Sequence, residues 1–384
     1  MMRKGLFFLC MLSHMVYGQE LSNSSNLDQS YTWSQEPNGY DFPVAINVPE
    51  NGGVTPEGGF PVCILLHGNG GNGNQMVNQF SNVLSCHILV APTGYQNSWN
   101  VCQEGSDAPD TDLVGSLIDT LQLFSNVNPN KIRILGSSNG AALANRLFIE
   151  NNNPGLDRIV AIVSQLNTSQ YHDSAFYMPS GITDNSLLNC GYNMTANPSI
   201  SKAYLSICND NDPLIPYNGG SSPVGVDFLP AEEAAYIIAQ HKGYNGSMIS
   251  GMMGSPMGMP LIFEYAYPQQ EVYHVKGNAA HAANESQLDY VKSFLEDCTF
   301  PLSSEDLVNP EAIQLITNAQ TASFHLTNLP EQAEVVVINS LGQTCGIQRH
   351  EHNSFSINEP AGIYYIQVRF CNEELKILPY YNKE

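Results

Sequence analysis

The stretch KIRILGSSNGAALANRLF at positions 131–148 decides the fold prediction for the whole chain. Its apolar start at 132–135 is typical of a strand, GSSNG at 136–140 of a sharp turn, and the alanine-rich remainder of a helix. A turn of this kind strains the backbone at its central serine, and a glycine on either side leaves room for it. The pattern therefore predicts that Ser138 presents its hydroxyl beyond the end of a strand, where it can act as a nucleophile.

A glycine-rich loop precedes this segment. HGNGG at 67–71 directly follows the apolar run VCILL at 62–66, and backbone N–H groups in such a loop can bind a developing oxyanion. We predict that Asn69 or Gly70 supplies one donor and that Asn139, the residue after the nucleophile, supplies the second. The alternative is a glycine-rich turn without a catalytic role.

An acidic candidate follows a later strand. Asp212 lies in CNDNDPLIPY at 208–217, just beyond the predicted strand at 203–207, where a carboxylate can orient a histidine. Asp210 competes for this role. Pro213 fixes the chain direction immediately after Asp212 and so favours it, whereas Asp210 is expected to bond its own backbone in the turn.

The histidine candidate is His281 in GNAAHAAN at 277–284, because the small residues on both sides let its imidazole approach a serine closely. His241 lies on a predicted helix and His274 lies within a predicted strand, so both fit this role less well. Ser138, Asp212 and His281 occur in the chain order serine, acid, histidine that is typical of α/β-hydrolases. We predict that they form a catalytic triad.

Four segments resemble one family: LHGNGG at 66–71, SWN at 98–100, NKIRILGSSNG at 130–140 and DPLIPY at 212–217. They are similar to the esterase family of α/β-hydrolases that includes polyhydroxybutyrate depolymerases, feruloyl esterases and acetyl xylan esterases. The resemblance covers about 31–298. It implies a cofactor-free serine carboxylic-ester hydrolase that works through an acyl-enzyme.

The resemblance also implies a substrate class: feruloyl or acetyl esters of plant polysaccharides, with an aliphatic or aromatic polyester as the alternative. Two departures lie on the substrate side: Asn69 stands where related depolymerases often have cysteine, and no Trp-Pro pair follows His281. The implied chemistry therefore carries over better than the implied substrate. A serine peptidase and a non-catalytic surface binding protein on a hydrolase scaffold remain the alternatives.

Three residues near the predicted oxyanion loop are candidate substrate contacts. Tyr95 and Trp99 follow the strand that ends near Ala91, on the rim where a substrate would enter, and His67 begins the glycine-rich loop. Trp99 could stack on a sugar or an aromatic ring. Ordinary packing of Trp99 is the equally open alternative.

Composition excludes some partners. The chain has 384 residues with 36 acidic and 14 basic side chains, a net charge of -22, which repels nucleic-acid phosphates. Residues 1–18 have the basic start, apolar core and small residue before a cleavage point of a signal peptide, so we expect a protein that is secreted or on the cell surface. No later segment has the ~20 continuous apolar residues of a membrane-spanning helix.

The sequence predicts two domains after the signal peptide. Strands alternate with helices through 19–300, which predicts an α/β-hydrolase catalytic domain with a mostly parallel sheet flanked by helices. Residues 301–384 contain short strands and turns, which predicts a small all-β sandwich. This segment resembles the C-terminal sorting domain of the type IX secretion system, with Leu-Gly-Gln at 341–343, Gly-x-Tyr at 362–364 and lysines at 376 and 383. The resemblance implies the secretion machinery as a partner, and an accessory carbohydrate-binding or stabilising module is the alternative.

The cysteines permit disulfides. Nine are present, and one of them, Cys10, lies within the predicted signal peptide. In an exported chain the other eight can be oxidised to disulfides. Cys63 and Cys208 lie in or beside predicted core strands, where a cysteine can be a buried apolar residue. Cys345 and Cys371 are the pair that we expect to bond in the C-terminal segment, while the pairing of the others is left open.

Overall fold

The computed structural model describes residues 18–49 and 55–296, and in the C-terminal part 314–318, 323–327, 329, 333–339, 343–350, 353–357, 360–370 and 373–382. The chain divides into two compact units, Met1–Asp297 and Cys298–Glu384. The predicted signal peptide lies outside the described residues except for Gly18, as do Cys371 and Lys383.

The described part of the first unit contains strands and helices in alternation. The strands are β1 (Gln29–Trp33), β2 (Glu36–Phe42), β3 (Val44–Asn47), β4 (Phe60–Leu66), β5 (Ile88–Pro92), β6 (Val127–Ser137), β7 (Leu156–Ile162), β8 (Tyr171–His172), β9 (Ala175–Pro179), β10 (Tyr192–Ala196), β11 (Ala203–Asn209), β12 (Gly220–Ser221), β13 (Asp227–Phe228), β14 (Ser255–Met257), β15 (Ile262–Tyr267) and β16 (Val272–Gly277). The α-helices are α1 (Gly73–Phe80), α2 (Asp110–Leu121), α3 (Asn139–Glu150), α4 (Ala231–His241) and α5 (Glu285–Leu295).

A nine-stranded sheet forms the centre of this unit, in the order β14-β15-β16-β11-β7-β6-β4-β5-β3. The six strands from β16 to β5 are parallel to their neighbours, and antiparallel strands close both sides of this block. Strands β4, β5 and β11 are buried along their whole length, which is why their sequences are continuous apolar runs. This is the predicted α/β-hydrolase fold.

Helices cover both faces of the sheet. On one face Leu65, Val160 and Leu205 share a core cluster with Phe80 of α1 and Val291 of α5. On the other face the ring of Tyr204 packs on that of Phe148 of α3, with centroids 5.3 Å apart, and Cys208 packs against Ala231 of α4. The sheet is therefore covered on both sides, as the alternating pattern predicts.

The topology brings the predicted site segments to one edge. Strand β4 lies between β5 and β6, so the chain leaves β4 toward one side of the sheet and leaves β6 toward the other, and a crevice opens at their carboxyl ends. Strands β11 and β16 end together, with Asn209 opposite Gly277. The loops after β4, β6, β11 and β16 carry all three predicted catalytic residues and the predicted oxyanion loop.

The second unit is all-β in its described residues. Its strands are β17 (Gln314–Asn318), β18 (Ser323–Thr327), β19 (Glu334–Asn339), β20 (Thr344–Cys345), β21 (Ile347–Arg349), β22 (Ser354–Ile357), β23 (Gly362–Phe370) and β24 (Glu373–Asn382). They form two antiparallel four-stranded sheets, β17-β18-β22-β21 and β20-β19-β23-β24. Phe324 and Phe355 from the first sheet share a core with Val337 and Ile366 from the second, which confirms the predicted β-sandwich.

Candidate active site

Ser138 occupies a tight turn between β6 and α3. Its backbone angles are φ 55° and ψ -118°, a left-handed conformation that strains any residue with a side chain. A Cβ atom at Gly136 would lie 2.1 Å from the carbonyl oxygen of Gly140, and one at Gly140 would lie 2.2 Å from that of Leu66. Both glycines of the motif are therefore required for the close approach of strand, turn and helix.

The structure brings the three predicted catalytic side chains into one hydrogen-bonded chain. Nε2 of His281 lies 2.7 Å from Oγ of Ser138, and Nδ1 of His281 lies 2.8 Å from Oδ2 of Asp212. The carboxylate is 2% exposed and the imidazole 20% exposed. With the proton on Nδ1 donated to Asp212, Nε2 accepts the hydroxyl proton of Ser138.

The turn after Asp212 fixes its carboxylate. Oδ1 accepts hydrogen bonds from the backbone N–H groups of Leu214 at 2.8 Å and Ile215 at 3.1 Å, which leaves Oδ2 for the histidine. Asp210 is exposed, and its carboxylate has no hydrogen-bond partner among the described residues. The geometry therefore selects Asp212 over Asp210.

The predicted oxyanion loop lies against the serine, but one of its predicted donors is occupied. A Cβ atom at Gly68 would lie 3.4 Å from Cβ of Ser138. The N–H of Gly70 donates to the carbonyl of Asn97 at 2.7 Å, so the prediction of Gly70 as an oxyanion donor is wrong. The N–H of Asn69 has no partner among the described residues, and that of Asn139 lies at the open N-terminus of α3. These two N–H groups remain as the candidate donors.

Trp99 and His67 do not contact a substrate, contrary to the prediction. Trp99 is 0% exposed and His67 1% exposed. The indole N–H donates to the backbone carbonyl of His67 at 2.7 Å, and the histidine ring bridges Gly68 O at 2.8 Å and the N–H of Gly94 at 3.0 Å. Because Nε2 accepts from Gly94 and Nδ1 faces a carbonyl, the ring carries its proton on Nδ1; burial also lowers its pKa. Both side chains hold the oxyanion loop in place from behind.

Tyr95 also departs from the prediction. Its ring packs edge-on against Trp33 and Tyr40, with centroids 5.0 and 5.1 Å apart, and its hydroxyl donates to Glu36 at 2.8 Å. This cluster anchors the β1–β2 hairpin to the rim. The neighbouring residue, Gln96, instead lines the cavity beside Ser138 that is described next.

A cavity of about 460 Å³ opens beside Ser138. The loop at 96–106 contributes mostly polar groups, and Val224, Val226 and Phe228 contribute apolar side chains. The lining residues are Asn69, Gln96, Ser98, Val101, Gln103, Glu104, Gly105, Ser106, Ser138, Asn139, Ala142, Ser164, Asn167, Ile215, Val224, Val226 and Phe228. The cavity thus offers both hydrogen-bonding groups and apolar surface.

Three hydrogen bonds to Glu104 and one disulfide hold the loop at 96–106 in place. Nδ2 of Asn139 donates to the carboxylate of Glu104 at 2.8 Å, and that carboxylate also accepts from the backbone N–H groups of Val101 and Cys102 at 3.0 and 2.6 Å. A disulfide joins Cys102 to Cys190. The nucleophile turn and the cavity wall are therefore linked through one asparagine side chain.

The sequence analysis missed several of these residues. Ser164 follows the carboxyl end of β7, a position that a strand-end search could have found. Glu104 and Asn167 come from loops and Phe228 from the short strand β13, and no local pattern shows that these segments meet at Ser138. Asn209 ends β11, and no local pattern shows that its side chain reaches the histidine loop.

The described residues also bear on metal binding and on membrane insertion. Within the described ranges, no group of three His, Cys, Asp or Glu side chains is placed to hold a metal ion. Among the helices of those ranges, none combines the length and apolar character needed to span a bilayer. Cys63 and Cys208 are 0% and 3% exposed and lie in core strands.

Comparisons with known proteins add structural similarities. No family model matches the sequence, and no curated protein matches it either. Similar solved structures include a carboxylesterase from Bacillus cereus, 15% identical with a TM-score of 0.40, where the match covers 66% of this chain and 93% of that one. The acetyl xylan esterase from Aspergillus awamori is 12% identical with a TM-score of 0.41, covering 70% and 99%. A poly(3-hydroxybutyrate) depolymerase from Bordetella parapertussis is 16% identical with a TM-score of 0.35, covering 52% and 71%.

Proposed function

We propose that this protein is a serine hydrolase of carboxylic esters. The observation that carries the proposal is the chain of two hydrogen bonds, 2.7 Å from Ser138 to His281 and 2.8 Å from His281 to Asp212. It lies at the carboxyl edge of the sheet, next to two backbone N–H groups and a cavity of about 460 Å³. A binding protein has no need for all of these parts together.

The geometry supports a reaction through an acyl-enzyme. Oγ of Ser138 attacks the ester carbonyl carbon while its proton passes to Nε2 of His281, and Asp212 stabilises the resulting imidazolium. The N–H groups of Asn69 and Asn139 bind the oxyanion; one such donor typically contributes about 3 kcal/mol. When the intermediate collapses, His281 gives its proton to the departing alcohol, and an acyl-enzyme remains. Water, activated by the same imidazole, then releases the acid.

For the substrate we propose feruloyl or acetyl esters of plant polysaccharides. The cavity lies within the ~300–1,000 Å³ range of small-molecule sites. Apolar lining residues such as Val226 and Phe228 suit an acyl group, and amide groups such as those of Gln96 and Gln103 suit sugar hydroxyls.

A polyester is the second candidate substrate, and one observation favours it. The stretch 243–263 contains no charged residue, and its β14–β15 turn exposes Met259 at 88% and Leu261 at 51%. Since β15 runs antiparallel to β16, this turn lies at the same edge of the sheet as the loop of His281. An apolar polymer surface could contact these side chains while one ester enters the cavity.

The test is hydrolysis of p-nitrophenyl acetate by the wild type and by Ser138→Ala. We expect turnover in the wild type and loss to background in the variant, with an unchanged circular dichroism spectrum. Absence of turnover in folded wild-type protein would instead support the binding protein. A panel of methyl ferulate, acetylated xylan, hydroxybutyrate esters, a polyester film and peptide amides then ranks the substrates and separates an esterase from a peptidase.

We also propose that the protein is exported, and that the second unit is the sorting domain through which the secretion machinery recognises it. The support is the signal-peptide pattern at 1–18 and the resemblance of 301–384 to type IX sorting domains. The all-β fold of the second unit is compatible with this role. The proposed location is the medium or the cell surface.

A further inference from the structure

Asn209 connects the loop that carries Asp212 to the loop that carries His281. It is the last residue of β11 and is 1% exposed. Its Nδ2 group donates two hydrogen bonds, to the carbonyl of Ala280 at 2.7 Å and to that of Ala282 at 2.6 Å. These two residues flank His281, so one buried amide holds the backbone on both sides of the imidazole.

The orientation of this amide follows from its partners. Oδ1 of Asn209 accepts a hydrogen bond from Nε2 of Gln287 at 3.0 Å. Because backbone carbonyls only accept, Nδ2 must face Ala280 and Ala282, and Oδ1 must face Gln287. Gln287 is 0% exposed and completes the capping box of α5 with Asn284. Asn209 therefore ties the histidine loop to the first turn of α5 as well.

A glycine makes room for this arrangement. A Cβ atom at Gly277, the last residue of β16, would lie 2.4 Å from Nε2 of Gln287 and 2.8 Å from Oδ1 of Asn209. Any other residue at this position would displace one of the two amides. The hydrogen bond between Asn209 and Gln287 thus depends on the absence of a side chain at Gly277.

The histidine loop needs such support because its backbone is strained. Ala280 has φ 53°, a left-handed conformation that is unfavourable for alanine. Asn211 assists from the surface: its Oδ1 accepts from the N–H of Ala280 at 3.0 Å, and its Nδ2 donates to Asn278 O at 2.8 Å. Asn211 is exposed, so water can replace its bonds. Water has no such access to Asn209.

We infer that Asn209 is a positioning residue for His281, an inference that rests on the proposed function. Proton transfer requires Nε2 of His281 within hydrogen-bond distance of Oγ of Ser138, where it lies at 2.7 Å. A displacement of about 1 Å typically costs on the order of 10²-fold in rate. Asn209 acts through the backbone of Ala280 and Ala282.

The test compares Asn209→Ala and Asn209→Asp with the wild type. Aspartate keeps the shape of asparagine but presents oxygen to two carbonyls, so both variants lose the donors. We expect kcat, expressed per site titrated with a covalent serine probe, to fall by about 10- to 100-fold in both, while KM changes by less than about 3-fold. Asn211→Ala should lower kcat by less than about 3-fold because water replaces its bonds.

Asn126→Ala is the matched control for a structural effect. Asn126 is also buried, and its amide binds both backbone groups of Leu21 at 2.8 and 2.9 Å, but it precedes β6 at the opposite edge of the sheet. We expect this variant to lower Tm without changing kcat per titrated site. If the Asn209 variants behave in the same way, Asn209 is only structural and the inference is overturned.

A readout without turnover separates this inference from the proposed function. Nitrogen-15 spectra of the His281 ring should show one neutral tautomer, with the proton on Nδ1, in the wild type and a mixture of tautomers in Asn209→Ala. An unchanged ring spectrum would overturn the inference even if the wild type is an active esterase. A wild type without esterase activity would overturn the proposed function, and the ring spectra would still decide whether Asn209 positions the imidazole.

Discussion

Ser138 and Ala280 both hold left-handed backbone conformations, with φ 55° and 53°. Such residues cost about 1–3 kcal/mol each and persist only where the surrounding structure holds them. The N–H of Ser138 donates to the carbonyl of Ile162 at 2.8 Å, and Asn209 binds the carbonyl of Ala280. Ser138 carries a reacting group and Ala280 adjoins His281. The strain therefore lowers stability at the positions that orient the hydroxyl and the imidazole.

Asp212→Asn should lower kcat by about 10³- to 10⁴-fold and leave the fold intact. The new Nδ2 group would donate to Nδ1 of His281, so the imidazole proton would lie on Nε2. A protonated Nε2 cannot accept the hydroxyl proton of Ser138. Steady-state kinetics with p-nitrophenyl acetate checks this. Asp210→Asn is the matched control and should remain within a few-fold of the wild type. A full rate in Asp212→Asn would move the acidic role elsewhere.

Asp110, the first residue of α2, should make stability depend on pH. Its Oδ2 accepts the N–H of Asn100 at 2.6 Å, whereas Oδ1 has no partner among the described residues. Burial raises the pKa of this carboxyl from its ordinary value of 3.8 to about 7. Between pH 4 and 7 the folded state therefore keeps a proton that the unfolded state has lost, so the free energy of unfolding falls as pH rises through this range.

The size of this effect follows from the shift: about 4 kcal/mol between pH 4 and 8. Urea unfolding of the wild type and of Asp110→Asn at several pH values measures it. As pH rises, the unfolding free energy of the wild type should fall relative to that of Asp110→Asn, and the difference should level off above about pH 8. Parallel pH dependences of the two proteins would show that Asp110 is ionised throughout.

At the scale of elements, the local pattern predicted most of the first unit. His241 lies on helix α4 (Ala231–His241) and His274 lies in strand β16 (Val272–Gly277), as predicted, because apolar periodicity is a local signal. Strands β14 and β15 were missed. They follow a segment rich in methionine, glycine and proline, and β15 is only partly buried, so neither alternation nor a continuous apolar run marks them.

Gly140→Ala should destabilise the protein by about 1–3 kcal/mol and lower kcat at least tenfold. The new Cβ would lie 2.2 Å from the carbonyl oxygen of Leu66, so α3 must move away from β4 and carry Ser138 with it. Thermal unfolding and kinetics measure the two effects. Gly115→Ala in α2 is the control: its Cβ would meet only Nδ2 of Asn151 at 3.7 Å, so we expect about 0.5–1 kcal/mol of added stability and unchanged kcat.

At the scale of the whole molecule, each unit has its own core. The cluster with Leu65 and Phe80 belongs to the first unit, and the cluster with Phe324 and Ile366 belongs to the second. The proposed catalytic residues all come from the first unit. The proposed catalysis and the proposed export therefore belong to different parts of the chain.

Deletion of the segment after Pro301 should leave the esterase activity and stop export. The catalytic residues and the sheet that positions them are retained, whereas the proposed sorting domain is removed. Activity with p-nitrophenyl acetate in cell lysate and in the medium measures both outcomes. Truncated enzyme in the medium at the level of the full chain would refute the sorting role, and loss of activity in the folded fragment would show that catalysis needs the second unit.

The sequence by itself determined the strand, turn and helix around Ser138 and the order of serine, acid and histidine. The reason is local: glycine sterics, apolar runs and strand ends act within a few residues of one another. Only the tertiary structure decided that Trp99 and His67 are buried supports, that the N–H of Gly70 is occupied, and that Asn209 reaches the histidine loop. Burial and hydrogen-bond partners depend on segments far apart in the chain, and the fold alone brings those segments together.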